Sequence, residues 1–232
     1  RSILRQDPNI IMIGEIRDTE TAKIAVRASI TGHLVLSTIH TNNSLNTIER
    51  LIDMDVQKYL LAAALEGIIS QKLARQLCPH CRALRKTTEY EKQIFKVVTG
   101  KVPEQIYDTV GCEHCHNGFN GRIAIQEVLR INQEIRDALS ENLSKEQLRE
   151  MVYKSDVTTL LEDGLNKVLA GLTTFSEILN LIELDNDNRV YEDFNLKQAI
   201  DETKETKIAK QQAMIEATTN QANMSELQRP LG

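Results

Sequence analysis

Two cysteine pairs, Cys78-Pro-His-Cys81 and Cys112-Glu-His-Cys115, constrain this chain more than any other feature, because each places two thiols in one tight turn. Two such turns brought together offer four sulfurs to a tetrahedral Zn²⁺ at about 2.3 Å. Four protein ligands leave no open position, so the metal would hold shape and not catalyse. Thirty residues separate the pairs. That exceeds the gap of about 15 to 20 residues common in such sites. The segment between them, with a helix expected around Glu89 to Val98, therefore has to fold back. Spacing leaves three alternatives: two redox motifs, two disulfides, or a histidine such as His80, His114 or His116 in place of one sulfur. Paired and not scattered cysteines fit a reducing compartment.

Upstream, the apolar run Asn9 to Ile13 reads as a buried strand that stops at the turn Gly14-Glu15. Asp18 can cap a helix whose stripe is Ala22, Ala25, Val26, Ser29 and Ile30, with Gly32 as its stop signal. A second strand is expected over His33 to His40. Strand, helix and strand within about 30 residues predict a βαβ unit in a sheet covered on both faces, an α/β nucleotide-binding style of core. Leu45 to Leu65 reads as helical with a break near Asp53 to Gln57. Gln71 to Leu77 and Arg122 to Leu129 read as strands. Ser144-Lys-Glu-Gln147 and Thr174-Phe-Ser-Glu177 match capping boxes of a helical lobe, and Gly171 ends the segment before the second. The expected division is a core over 1–77, a tetracysteine module over 78–121, the rest of the core with the lobe over 122–184, and a polar tail over 185–232, disordered or helical with a partner.

A carboxyl group closing a strand, as Glu15 closes IIMIGE, can orient water or a water-bound Mg²⁺ beside a phosphate. The same pattern also describes a surface acid after a core strand. Arg17 is either a cation for phosphate charge near a subunit boundary or a solvated partner of Asp18 or Glu20. His33 and His40 fall on opposite parities of their strand, roughly 23 Å apart if it is regular, and cannot easily share a site. Ligands of open α/β sheets sit beyond the carboxyl ends of strands, which favours His40 for a terminal phosphate, with Thr41 and Asn42 as neighbouring donors. His33 is left to anchor the strand entry. No GxxxxGK[ST] phosphate loop occurs in the 232 residues, so the chain as it stands should not bind ATP tightly.

Composition narrows the partners. The net charge is −5, aromatics make up 4% and Trp is absent, which disfavours base-stacking modules and a strongly cationic surface. The longest apolar run, Tyr59 to Leu65, falls far short of the roughly 20 residues of a membrane span. With no initiator Met and no signal segment at RSILRQD, the chain reads as a fragment that begins mid-protein.

RSILRQDPNIIMIGEIRDTETAKIAVRASITGHLVLSTIHTNN, then LARQLCPHC, GCEHCHNGFNGRIAIQEVL and LLEDGLNKVLAG, resembles in order and spacing the type II secretion and type IV pilus assembly ATPases. The resemblance runs from residue 1 to about 184. It implies the carboxyl-terminal half of a RecA-like (P-loop NTPase) motor, with an inserted zinc module and a helical lobe. The family forms homo-hexamers on the cytoplasmic face of the inner membrane, peripheral to it. These spend ATP, with Mg²⁺, on pilin or pseudopilin assembly through a polytopic platform protein and a membrane-anchored cytoplasmic adaptor, with no direct nucleic-acid contact. By motif, Glu15 matches the family's Walker B glutamate and Gly14 its neighbour. His33 and His40 match the His box, and Arg17 matches an arginine near the subunit boundary. Cys78, Cys81, Cys112 and Cys115 match a zinc module of the assembly and secretion branch that the retraction branch lacks. The phosphate loop would lie upstream, so the piece alone is expected to be inactive. The rival reading is a non-catalytic, zinc-stapled module that docks on a membrane platform protein.

Overall fold

The β-branched run forms its strand. In the computed structural model, which describes residues 6–141, 144–154 and 157–183, β1 spans Ile10–Ile13. Asp18 starts α1 (Thr19–Ile30) by accepting the Thr21 N–H at 2.8 Å, one of the donors that a helix start leaves open. Ala22, Ala25, Val26 and Ala28 form the buried face of α1. β2 (Leu34–Ser37) then runs parallel to β1, with Ile10 opposite Leu34 and Ile13 opposite Ser37, and completes the βαβ unit. It is shorter than the expected His33–His40 strand, so both histidines lie outside it. The expected two-sided cover also differs. Ile11, Ile13 and Val35 share the parity that turns inward, whereas Ile10, Met12, Leu34 and Leu36 are exposed among the described residues.

Asn43 caps α2 (Ser44–Asp53), and after a break at which Asp55 takes φ 59° the chain forms α3 (Lys58–Ala64). β3 (Gly67–Leu77) pairs antiparallel with β6 (Phe119–Arg130) in a long ribbon, with Ser70 opposite Glu127 and an irregularity between Arg75 and Leu77. Between them lie β4 (Ala83–Lys86), α4 (Glu89–Thr99) and β5 (Gln105–Asp108), and β4 pairs with β5. The helix expected inside the cysteine module is α4, started by a complete capping box from Thr88 and Glu91. Two short strands bracket that helix and carry the chain back to the second cysteine pair.

Four helices follow: α5 (Gln133–Ser140), α6 (Lys145–Lys154), α7 (Leu160–Leu169) and α8 (Phe175–Glu183). Ser144 and Gln147 make both bonds of their capping box. Thr174 makes only its half. The Glu177 carboxyl goes instead to β3, where it accepts the Arg75 N–H at 3.0 Å and pairs with the Arg75 guanidinium at 2.5 Å. Residues 6–84 together with the described residues of 107–183 form one compact unit, and Arg85–Ile106 form another. In the first unit, one buried cluster joins α1 to Leu51, Met54, Val56 and Leu61, and another joins Leu45 and Ile48 to Leu129, Ile135, Leu139, Leu148 and Val152. The tail expected over 185–232 lies outside the described residues.

Candidate functional site

Glu15 leaves the end of β1 on a turn that is tied to the end of β2. The Ile16 N–H donates to the Thr38 carbonyl at 2.9 Å, and the Thr38 hydroxyl donates to the Gly14 carbonyl at 2.5 Å. Bonds on both sides of one residue fix where its side chain leaves the backbone. The Glu15 carboxyl, one-fifth exposed, meets the Arg17 guanidinium at 2.5 Å and His40 Nε2 at 3.3 Å. Hydrogen bonding from Arg17 is the largest influence on it. Burial pushes the other way, and the charges of Arg17 and His40 add to the pull, so the carboxyl sits below its ordinary value of 4.5. Arg17 therefore pairs with Glu15, not with Asp18 or Glu20. Asp18 is occupied as the helix cap.

The two histidines, both outside β2, meet different partners. His33 Nδ1 lies 3.0 Å from the Ala28 carbonyl and 3.2 Å from the Thr31 hydroxyl, at the carboxyl end of α1, where a donor satisfies an open helix carbonyl. His40 stands beyond β2, largely exposed and against Glu15. Thr41 turns its hydroxyl to Thr47 at 2.7 Å. A Cβ on Gly14 would meet nothing, so within this chain the position needs glycine for no steric reason. Thr38, His40 and Thr41, together with Gly67 to Gln71, line a cavity of about 680 Å³, whose lining does not include Glu15 or Arg17. An ionised acid, an imidazole 3.3 Å from it and a guanidinium cation suit the attack of water on a charged phosphate.

The second site is the tetracysteine cluster. All four sulfurs lie within 4.8 Å of one another, with Cys78–Cys112 at 3.9 Å and both Cys81–Cys115 and Cys112–Cys115 at 3.7 Å. Four Zn–S bonds of about 2.3 Å in a tetrahedron put the sulfurs about 3.8 Å apart, so the donor set fits zinc. The cysteines are free thiols, not disulfides, and the paired rings of His80 and His114 lie outside the group. Crowding splits the thiols. The His114 N–H pulls Cys112 down, but burial and the three neighbouring thiols outweigh it and push Cys112 up to about 12. Burial pushes Cys115 up, but backbone and thiol donors bring it to about 7. A cation would relieve this competition by taking the place of the shared protons. Gly118 closes the knuckle at φ 83°, where a Cβ would fall 2.4 Å from Thr109 Cβ.

Thr38 and Glu127 were not singled out by the sequence reading. Thr38 carried no signal, being one hydroxyl in a polar strand exit. Glu127 did, because it shares its strand parity with buried Ile125 and Leu129 and is itself buried.

The model of the type II/IV secretion system protein family matches residues 1–180, and the chain belongs to that family. It is 46% identical over 182 residues to the putative type II secretion system protein E of Escherichia coli K12, covering 78% of this chain and 36% of that protein. It is 42% identical over 189 residues to the type IV pilus assembly ATPase TfpB of Acinetobacter baylyi, covering 79% and 32%. The chain thus spans about a third of the length of these curated relatives. Among solved structures, the pilus retraction motor PilT with bound ADP superposes with a TM-score of 0.56 at 26% identity, over 83% of this chain and 44% of that one. The Legionella pneumophila ATPase DotB, at 23% identity and a TM-score of 0.55, shares the fold. No helix among the described residues is long and apolar enough to cross a membrane.

Proposed function

We propose that this chain supplies the water-activating part of a RecA-like motor ATPase that drives secretion-pseudopilus or type IV pilus assembly. One observation carries the reading: the acid closing β1 and the imidazole beyond β2 meet at 3.3 Å, and that imidazole lines a cavity. Glu15 accepts a proton from, or orients, the attacking water, and His40 hydrogen-bonds the terminal phosphate. Arg17 holds Glu15 ionised and sets its direction. ATP with Mg²⁺, when bound, supplies the scissile anhydride and offsets its charge. The residues present fit the hydrolytic side of such a site. They do not supply a phosphate cradle, so the chain on its own should not turn over ATP. Gly14, His33 and Thr41 support the site through the backbone turn, the end of α1 and α2. Cys78, Cys81, Cys112 and Cys115 hold one structural zinc ion, a feature that by family resemblance favours assembly or secretion over retraction.

In the intact protein, by the same resemblance, six copies assemble on the inner face of the plasma membrane against a polytopic platform protein and a cytoplasmic adaptor. The non-catalytic docking module predicts no role for Glu15. Replacing it by Gln in the intact protein is expected to abolish ATP hydrolysis and leave nucleotide binding in place. Turnover at the wild-type rate would refute the reading.

A further inference from the structure

Glu127 sits inside the apolar face of β6, between Ile125 and Leu129, and is only 3% exposed. A buried acid there is costly unless its oxygens meet donors. Its Oε1 accepts the backbone N–H of Ser44 at 2.9 Å, at the first residue of α2. That N–H is among the donors a helix start leaves without an internal partner, and Ser44 is fully buried, so water cannot replace the acid. The Ser44 hydroxyl faces that of Ser70, the register partner of Glu127, at 3.4 Å. The helix start is thus held twice, locally by Asn43, which accepts the Asn46 N–H at 2.8 Å, and at long range by Glu127.

What this fixes is the loop before the helix. Thr47, in the first turns of α2, bonds the Thr41 hydroxyl at 2.7 Å, and Thr41 follows His40 directly. A helix start that shifts therefore carries His40 with it, away from Glu15. We infer that Glu127 is a positioning residue. From the β3–β6 ribbon it locks the amino end of α2, and through Thr47 and Thr41 it holds the His40 loop in register with the Glu15 turn. This rests on the hydrolytic reading of Glu15 and His40.

The test compares Glu127→Gln, Glu127→Ala, Thr47→Val and Glu15→Gln in the intact protein, reading kcat and KM for ATP, affinity for a fluorescent ADP, and melting temperature. Gln keeps the acceptor oxygen and is expected to stay within about twofold of wild type, whereas Ala and Thr47→Val lower kcat by about tenfold or more with KM and ADP affinity little changed. A merely structural role would move melting temperature without that split. Unchanged kcat in a folded Glu127→Ala, with Glu15→Gln inactive, overturns the inference alone. Equal loss in Glu127→Gln and Glu127→Ala also overturns it. If Glu127→Ala does not fold, Thr47→Val decides, and wild-type kcat there refutes the relay. An active Glu15→Gln brings down the hydrolytic reading, and the inference with it.

Discussion

At the scale of single residues, the site is a matter of where strands end. Glu15 and His40 were legible in the sequence because each follows an aliphatic run, and the termini of such runs lie at the rim of an α/β sheet. The partners that aim them were not legible, because they are defined across the fold. Thr38 is the case in point. Its hydroxyl and its carbonyl bracket Glu15, a fact that depends on the parallel register of β1 with β2 and not on any local pattern. Thr38→Val removes only the hydroxyl bond to Gly14. In the intact protein it is expected to lower kcat about fivefold, the worth of one modest hydrogen bond, with nucleotide affinity unchanged. Steady-state ATPase rates beside a binding titration check this, and an equal loss in both would place Thr38 in binding instead. Arg17 teaches the complementary lesson. Sequence proximity offered Asp18 and Glu20, but capping geometry removed Asp18 from the choice and the turn delivered Glu15.

Among the elements, several helix starts and glycine stops could be read from the chain, since capping chemistry is local: Asp18, Ser144 and Thr174 all begin their helices as expected. The exception is informative. Glu177 has the sequence of a capping-box acid, yet it ties α8 to β3 through Arg75, whose guanidinium also lies 4.1 Å above the Phe119 ring. Burial raises the Glu177 carboxyl, but the Arg75 side-chain and backbone donors more than offset it and leave it below 4.5. A folded-state value below the unfolded one means that the stabilisation is complete above pH 4.5 and is lost as pH falls through the lower folded value. The melting temperature of the wild type should therefore drop more steeply below pH 4.5 than that of Glu177→Gln, and parallel curves would contradict the clamp. The packing of α7 on α8 is a second test. A Cβ at Gly164 would fall 2.7 Å from Ile178 Cγ2, so Gly164→Ala should cost about 1 to 3 kcal/mol by overpacking, visible in chemical denaturation. A stability equal to wild type would show that the pair has room to part.

For the molecule as a whole, the tetracysteine cluster adjoins the Leu77 and Phe119 end of the β3–β6 ribbon, and the paired Ser70 and Glu127 lie nearer its other end. The cluster was the most legible feature because four thiols at fixed spacing have few chemical uses. How the thirty intervening residues close the gap was not, since it depends on β4 pairing with β5. Native mass spectrometry is expected to find one zinc per chain, and removal by a chelator should lower the melting temperature. A metal-free protein with two disulfides would contradict the fit. The central claim is that Glu15 and His40 act together on one nucleotide. A double-mutant cycle on kcat in the intact protein tests it most directly. If the claim holds, Glu15→Gln with His40→Ala is scarcely slower than the worse single variant, because either change disables the same step. If the two losses simply multiply, the residues act independently and the account fails.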